Sequence, residues 1–253
     1  MKKRYGQHFL SDRHILQRIV RLAAIGSEDT VVEIGPGAGA LTRELATAAR
    51  RVIAIEVDRD LIPELRNSMP GNVTVVEADA LEADLIKLAG SPFHLVGNLP
   101  YNIATPLLKQ FISAREHILD VTIMLQKEVA DRLRASAGSK DYGPLSLLIQ
   151  YYATPIRGFT VPPGAFTPRP KVDSAVIRLE WKPGVPSSKN FTDFVQKAFG
   201  SRRKKLVNNL VPLCPGRSRE EIVTILENEG LSRDARAETL TVEQFLRVYN
   251  QLQ

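Results

Sequence analysis

Short apolar runs alternate with stretches of helical spacing along most of the chain. Runs rich in Val, Ile and Leu predict buried strands at Val31–Ile34, Val52–Ile55, Val73–Val76, Phe93–Val96, Val121–Leu125, Ile156–Val161 and Ser174–Trp181. Apolar positions with helical spacing predict helices that include Asp12–Ala24, Ala40–Ala46 and Pro144–Tyr152. Repeated strand–helix alternation indicates an α/β fold with a doubly wound parallel sheet.

The composition changes after Trp181. The segment Lys182–Ser188 contains two prolines, a glycine and two serines, which is typical of a linker, and helical periodicity without strand patterns follows it. We therefore predict two domains, residues 1–181 with the sheet and residues 182–253 with a small helical fold.

A glycine-rich turn follows the first long strand. Gly35, Gly37 and Gly39 have the spacing G-x-G-x-G, which differs from the G-x-G-x-x-G of dinucleotide-binding enzymes. Such glycines let the backbone pass close to a bound nucleoside. Glu33, two residues before the first glycine, is placed to meet an ammonium group.

Polar side chains stand at the ends of the next three predicted strands, at Glu56, Asp79 and Asn98. The carboxyl ends of parallel strands meet at one edge of the sheet, where such folds bind ligands. Glu56 is placed to accept hydrogen bonds from two ribose hydroxyls and Asp79 from an adenine amino group. Each acid alone is equally compatible with a solvated strand end, but their recurrence after successive strands favours a nucleoside cofactor.

The tetrapeptide Asn98-Leu99-Pro100-Tyr101 suits an exocyclic amine such as that of adenine. The amide oxygen of Asn98 and the carbonyl of Leu99 can each accept one N–H. Pro100 stiffens the turn, and Tyr101 offers a ring face on which a base can stack. An ordinary strand-to-helix turn is the alternative interpretation.

Composition limits the class of protein. The chain has 253 residues, of which 43% are hydrophobic, enough for one well-packed domain and a small appendage. The single cysteine excludes an internal disulfide, and no apolar run has the length of a membrane span or a secretory signal. We expect a cytoplasmic protein without a metal site, because no metal-ligand spacing connects the four histidines His8, His14, His94 and His117.

Positive charge is concentrated at both ends of the chain. Residues 1–21 carry six Lys and Arg against one acid, residues 182–253 carry 12 against eight, and the net charge is +6. This distribution predicts that the ends bind a polyanion such as RNA. The candidate residues form two clusters, Lys2, Lys3 and Arg4 near the start of the chain and Arg202, Arg203, Lys204 and Lys205 near its end. For each cluster, the alternative is a charged surface that contacts only solvent.

The order of Glu33–Gly39, Glu56, Asp79 and Asn98–Tyr101 resembles the class I S-adenosylmethionine-dependent methyltransferases, and N-L-P-Y resembles their RNA adenine-N6 branch. Three more segments are similar to the KsgA (RsmA) family of small-subunit ribosomal RNA adenine N6,N6-dimethyltransferases: Tyr5–Leu10, Phe166–Val172 and Arg236–Leu240. The resemblance extends from about Arg4 to about Tyr249. One departure is His8, where the family commonly has Asn.

The resemblance implies a Rossmann-like seven-stranded sheet whose last strand is antiparallel, and S-adenosyl-L-methionine as cofactor. It adds His8 and Leu10 to the cofactor site. It also implies that Phe166 packs on the target adenine opposite Tyr101, with Arg169 and Lys171 near phosphates; the alternative is that Phe166 fills the core.

The resemblance further implies dimethylation of N6 in two adjacent adenines of the 3′-terminal hairpin loop of 16S rRNA, within an immature small ribosomal subunit. We expect direct in-line methyl transfer by a monomer, with no metal and no membrane partner. Three alternatives stay open: an Erm-type enzyme for large-subunit rRNA, a DNA adenine or protein-amide methyltransferase, and a binding module that monitors ribosome assembly.

Overall fold

A computed structural model of the protein describes residues 8–100, 103–186, 188–201 and 203–253. The strands are β1 (Phe9–Leu10), β2 (Thr30–Ile34), β3 (Arg51–Glu56), β4 (Val73–Glu77), β5 (Phe93–Asn98), β6 (Ile118–Gln126), β7 (Ala153–Val161), β8 (Phe166–Thr167) and β9 (Ser174–Trp181). The α-helices are α1 (Arg13–Ala23), α2 (Ala40–Ala48), α3 (Ile62–Ser68), α4 (Leu85–Ala89), α5 (Ala104–Ala114), α6 (Lys127–Leu133), α7 (Pro144–Tyr152), α8 (Lys189–Ala198), α9 (Leu206–Leu210), α10 (Arg219–Asn228) and α11 (Val242–Leu252). Short 3₁₀ turns occupy Pro163–Ala165, Val211–Leu213 and Ala237–Thr239.

Seven strands form one sheet in the order β4-β3-β2-β5-β6-β9-β7. Strands β2 to β6 pair in parallel, whereas β9 is antiparallel to β6. The α/β fold, the seven strands and the antiparallel last strand are thereby confirmed. Every residue of β2 is buried, because helices cover both faces of such a sheet, and this explains its nearly continuous apolar run.

A second, two-stranded sheet was not predicted from the sequence. Strand β1 pairs antiparallel with β8, so that Phe9 lies opposite Thr167 and Leu10 opposite Phe166. Directly after β1, the Asp12 side chain accepts hydrogen bonds from the backbone N–H groups of the first turn of α1. The N-terminal segment is therefore tied to the segment that precedes β9.

The chain divides into two compact units. The first contains the described residues up to Ala130 together with Thr154–Trp181, and the second contains Asp131–Ala153 and Lys182–Gln253. The second unit is helical and has an aromatic core, in which the rings of Phe199 and Phe245 stack with their centroids 5.5 Å apart. This unit takes in residues 131–153 as well as residues 182–253; the division at Trp181 into a methyltransferase domain and an RNA-binding domain stays a prediction.

Within the described part of the chain, no helix has both the length and the apolar character needed to cross a bilayer. The same residues contain no group of His, Cys, Asp and Glu side chains that could hold a metal ion.

Candidate active site

A cavity of about 490 Å³ lies in the first unit at the carboxyl ends of β2, β3 and β5. The sheet extends from β2 through β3 to β4 on one side and through β5 to β6 on the other. The cavity therefore occupies the switch point at which open α/β sheets bind ligands, and its volume is typical of sites for small molecules.

Most of the residues predicted for the cofactor share the wall of this cavity. The predicted cofactor residues that line the cavity are His8, Leu10, Glu33, Gly35, Gly37, Glu56, Asp79 and Asn98. Leu99 and Pro100, which were predicted to contact the target base, line it as well. Sequence reasoning missed other lining residues, among them Phe9, Pro36, Ala38, Val57, Ala80 and Met124. These side chains are small or apolar, and only their position next to the predicted residues could have indicated them.

The glycine turn contributes both shape and a hydrogen bond. Gly37 has a φ of 57°, and a Cβ atom there would lie 2.9 Å from the ring of Phe9; its N–H donates to Oε2 of Glu56 at 3.0 Å. Gly39 does not line the cavity. Its φ is 78° at the start of α2, where a Cβ atom would collide with Met69 and Leu65.

Glu33 is a buried acid, and one of its two carboxyl oxygens lacks a hydrogen-bonding partner among the described residues. Its side chain is 1% exposed, and Oε2 has no hydrogen bond to the described residues. The pKa of Glu33 is raised to about 8, chiefly by burial; a hydrogen bond with the Thr42 hydroxyl opposes the shift, and the nearby charge of Glu56 adds to it. An uncompensated carboxyl group in a cavity wall indicates a site for a cationic ligand group.

Glu56, at the end of β3, is held by the backbone around it. Oε1 accepts hydrogen bonds from the N–H groups of Val57 and Asp58 at 3.0 and 2.9 Å, in addition to the bond from Gly37 to Oε2. Burial raises the pKa of Glu56, and these backbone hydrogen bonds oppose the shift. Asp79, after β4, is partly exposed, and its Oδ1 accepts the N–H of Leu81 at 2.9 Å.

Asn98 ends β5, and its amide orientation is defined by a hydrogen bond. Nδ2 donates to the backbone carbonyl of His8 at 3.2 Å, so Oδ1 is the atom that can accept a hydrogen bond from a ligand in the cavity. The N–H of Leu99 donates to the carbonyl of Met124 at 3.1 Å, which fixes the backbone after Asn98 against β6. This arrangement leaves Oδ1 of Asn98 as a hydrogen-bond acceptor in the cavity wall.

A family model described as ribosomal RNA adenine dimethylase matches residues 1–253. The chain belongs to this family. A ribosomal RNA small subunit methyltransferase A of Lachnoclostridium phytofermentans is 42% identical over 261 residues, covering 98% of this chain and 90% of that protein. The protein of the same name in Bacillus cereus strain B4264 is 42% identical over 265 residues, covering 99% and 91%.

Two solved structures resemble this protein. A dimethyladenosine transferase from Plasmodium falciparum has a TM-score of 0.84 at 26% identity, covering 97% of this chain and 98% of that one. The 23S rRNA methyltransferase ErmE has a TM-score of 0.75 at 30% identity, covering 96% and 99%. The protein is an S-adenosylmethionine-dependent enzyme that dimethylates adenine in ribosomal RNA, as the sequence predicted.

The cavity of this adenine dimethylase fits the cofactor of its family. S-adenosylmethionine carries an ammonium group, a ribose diol and an adenine amino group, and each needs hydrogen-bond acceptors or negative charge. Glu33 supplies a buried carboxyl oxygen that has no partner among the described residues, and Glu56 and Asp79 supply further carboxylates in the same wall. The carboxylates in the cavity wall are therefore the acceptors that the donor groups of S-adenosylmethionine require.

Two residues predicted to enclose the target base have different outcomes. Tyr101 lies outside the described residues. Phe166 is 3% exposed and packs in a hydrophobic cluster with Leu10 and Val161, and it is not among the residues that line the cavity. This position favours the alternative that Phe166 fills the core, and stacking on the target adenine stays a prediction.

The predicted RNA contacts are described only in part. Lys2, Lys3, Arg4 and Arg202 lie outside the described residues. Arg169 and Lys171 are exposed on the segment between β8 and β9, and Arg203 and Lys204 are exposed before α9. Lys205 is exposed as well, and its Nζ forms an ion pair with Oδ1 of Asp234 at 2.5 Å; its contact with RNA stays a prediction.

Proposed function

We propose that this enzyme dimethylates N6 of two adjacent adenines in the 3′-terminal hairpin loop of 16S rRNA, within an immature small ribosomal subunit. The supporting observation is the 42% identity to small-subunit methyltransferases over 98% of the chain, against 30% to the large-subunit enzyme ErmE. A loop adenine is partly unstacked, so its extrusion into a site costs less than opening a duplex. We further propose that the protein acts as a monomer in the cytoplasm, where its bacterial relatives would meet assembling subunits.

We propose three contacts with the cofactor. Glu33 pairs with the ammonium group, since its buried Oε2 has no other partner in the part of the chain that the structure describes. Glu56 accepts from the ribose hydroxyls, and Asp79 accepts from the adenine amino group. Because backbone N–H groups already hold the carboxylate of Glu56, this side chain is preorganised for its ligand.

The target amine meets two acceptors in this proposal. Oδ1 of Asn98 and the carbonyl oxygen of Leu99 each accept one N6–H, which draws the nitrogen lone pair out of conjugation with the ring. The bound cofactor supplies an electrophilic methyl group on a positively charged sulfur. The protein contributes orientation of the amine and stabilisation of its developing positive charge. The second methylation proceeds with one N–H remaining to donate.

We propose that the exposed cations bind the surrounding RNA. Arg169 and Lys171 contact phosphates near the target base, and Arg203 and Lys204 contact phosphates further away. Lys2, Lys3, Arg4 and Arg202, which lie outside the described residues, are proposed for the same role. Tyr101 and Phe166 are proposed to stack on the extruded adenine.

Methyl transfer to separate substrates tests the proposal. The protein is incubated with labelled S-adenosylmethionine and with undermethylated small subunits, large-subunit rRNA or duplex DNA, and nuclease fragments are mapped by mass spectrometry. We expect dimethyladenine in the small-subunit hairpin only. Dimethyladenine in large-subunit rRNA would assign the Erm-type activity, for which the TM-score of 0.75 to ErmE is the favouring observation. Binding of small subunits without methylation would favour a role in monitoring assembly.

A further inference from the structure

His8 connects two parts of the proposed active site. Its ring nitrogen Nδ1 lies 2.7 Å from the carbonyl oxygen of Pro168, and its own backbone carbonyl accepts the hydrogen bond from Nδ2 of Asn98. A carbonyl oxygen can only accept, so Nδ1 of His8 carries the proton and donates it to Pro168. One residue therefore contacts both the catalytic tetrapeptide and the segment after β8.

The segment of residues 168–173, here called the Pro168 loop, is fastened at both ends beside Asn98. At its far end, the carbonyl of Asp173 accepts the N–H of Lys127 at 2.9 Å, directly after β6. Strand β6 pairs with β5 so that Met124 lies opposite Asn98. At its near end, the loop follows Thr167, which pairs with Phe9, and the hydrogen bond from His8 extends this attachment to Pro168. Removing that bond would free Pro168, and the loop beyond it, from the segment that contacts Asn98.

The amide of Asn98 needs a fixed neighbour because rotation about its last torsion has a broad energy profile. If the carbonyl of His8 moves away, the amide can present Nδ2 to the target amine, and two donors then face each other. Orientation with Oδ1 toward the amine thus depends on the position of the His8 backbone. Pairing of Phe9 with Thr167 holds the chain directly after His8, and the contact of the imidazole with Pro168 holds His8 itself.

We propose that His8 is a positioning residue, whose imidazole holds the Pro168 loop and whose carbonyl sets the amide of Asn98 to accept from the target amine. The inference rests on the role proposed for Asn98. It assigns the side chain of His8 to the protein's own loop, whereas the sequence predicted a contact with the cofactor. It also explains how His8 can replace Asn, because Nδ1 of His and Nδ2 of Asn are both bonded to Cγ and so reach equally far from the backbone.

A matched pair of variants tests the inference. Leu and Asn have similar size and branching, but only Asn can donate to the carbonyl of Pro168. We expect His8→Leu to lower kcat on undermethylated small subunits at least about tenfold, the equivalent of one hydrogen bond, and to change the Kd for S-adenosylmethionine less than about threefold. His8→Asn should restore kcat to within about threefold of wild type, and His14→Leu, on the exposed face of α1, serves as the control.

The outcomes separate this inference from its alternatives. A His8→Leu protein that loses cofactor affinity while kcat is retained would make His8 a cofactor ligand and overturn the proposal. Equal losses of kcat in His8→Leu and His8→Asn would also overturn it, as would wild-type activity in His8→Leu. If wild-type protein methylates only large-subunit rRNA, the proposed substrate is wrong, and the same variants are compared on that RNA. If His8→Leu does not fold, His8→Ala takes its place. A loss of kcat in His8→Ala that exceeds its loss of cofactor affinity, with kcat restored in His8→Asn, supports the proposal. A loss of cofactor affinity without a loss of kcat overturns it.

Discussion

Replacement of Glu33 by Gln tests how the cavity receives the cofactor's charge. With a pKa of about 8, roughly nine-tenths of the Glu33 carboxyl is protonated at pH 7 in the free protein. An ammonium group placed against it favours the ionised form. Cofactor binding near pH 6.5 should therefore release close to one proton from Glu33.

The size of the effect follows from the pKa. Below pH 7.5, lowering the pH by one unit should weaken cofactor binding about tenfold, because ionising the carboxyl of Glu33 then costs about 1.4 kcal/mol more. The stability of the free protein changes with the opposite sign. The pKa of Glu33 in the folded protein lies above the unfolded value of 4.5, so its contribution to stability is complete below pH 4.5 and is lost as pH rises toward 8. By pH 7, the free energy of unfolding should have fallen by about 3 kcal/mol.

The assay is titration calorimetry at pH 6.5 in two buffers that differ in ionisation enthalpy, with urea unfolding between pH 4 and pH 8. Glu33→Gln keeps the shape of the side chain and removes its titration. This variant should bind the cofactor without releasing a proton, and its stability should depend less on pH. Equal proton release by wild type and Glu33→Gln would refute the reasoning, since the proton would then come from another group.

Other perturbations have defined outcomes. Glu56→Ala should weaken cofactor binding at least about tenfold in calorimetry, because two charge-assisted hydrogen bonds are lost, and an unchanged Kd would remove Glu56 from the site. Burial alone would lower the pKa of His94, but hydrogen bonds and charges of Asp120 and Asp29 raise it overall, so stability from this cluster is present below pH 6.5 and lost as pH rises through the raised pKa. Urea unfolding of His94→Gln should lack this loss above pH 6.5, and a pH dependence identical to wild type would contradict the assignment. Replacing Arg203 and Lys204 by Ala should make the affinity for small subunits less dependent on salt. The slope of log affinity against log salt concentration should fall by about 0.7–0.9 for each lost phosphate contact. An unchanged slope would exclude both residues from the interface.

The parallel part of the sheet could be predicted because its strands are buried on both faces and so consist of apolar runs. The acids of the cavity could be predicted for a related reason, since strand ends converge and Glu56 and Asp79 follow consecutive strands. Strands β1 and β8 have only two residues each, too few for any periodic pattern. Their pairing, and with it the contact between His8 and Pro168, depends on segments far apart in the sequence.

Buried ionic contacts were equally invisible in the sequence. His94 lies between Asp29 and Asp120, with both ring nitrogens 3.1 Å from a carboxylate oxygen, and Arg178 donates to Asp120 at 2.8 Å. In the sequence, His94 is one of four histidines without a recognisable spacing. Spacing can reveal metal ligands, but it carries no signal for ion-pair partners that the sheet brings together. The pairing of Lys205 escaped prediction for the same reason.

Product mapping with Asn98→Ala tests the central claim most directly, because it joins the substrate to the residue proposed to orient it. Undermethylated small subunits are treated with wild-type or Asn98→Ala protein at saturating S-adenosylmethionine, and the 3′-terminal hairpin fragment is analysed by mass spectrometry over time. Wild type should place two methyl groups on each of two adjacent adenines, and Asn98→Ala should retain cofactor affinity while its rate falls about 100-fold or more. Methylation at another site, or equal losses of affinity and rate in Asn98→Ala, would contradict the account.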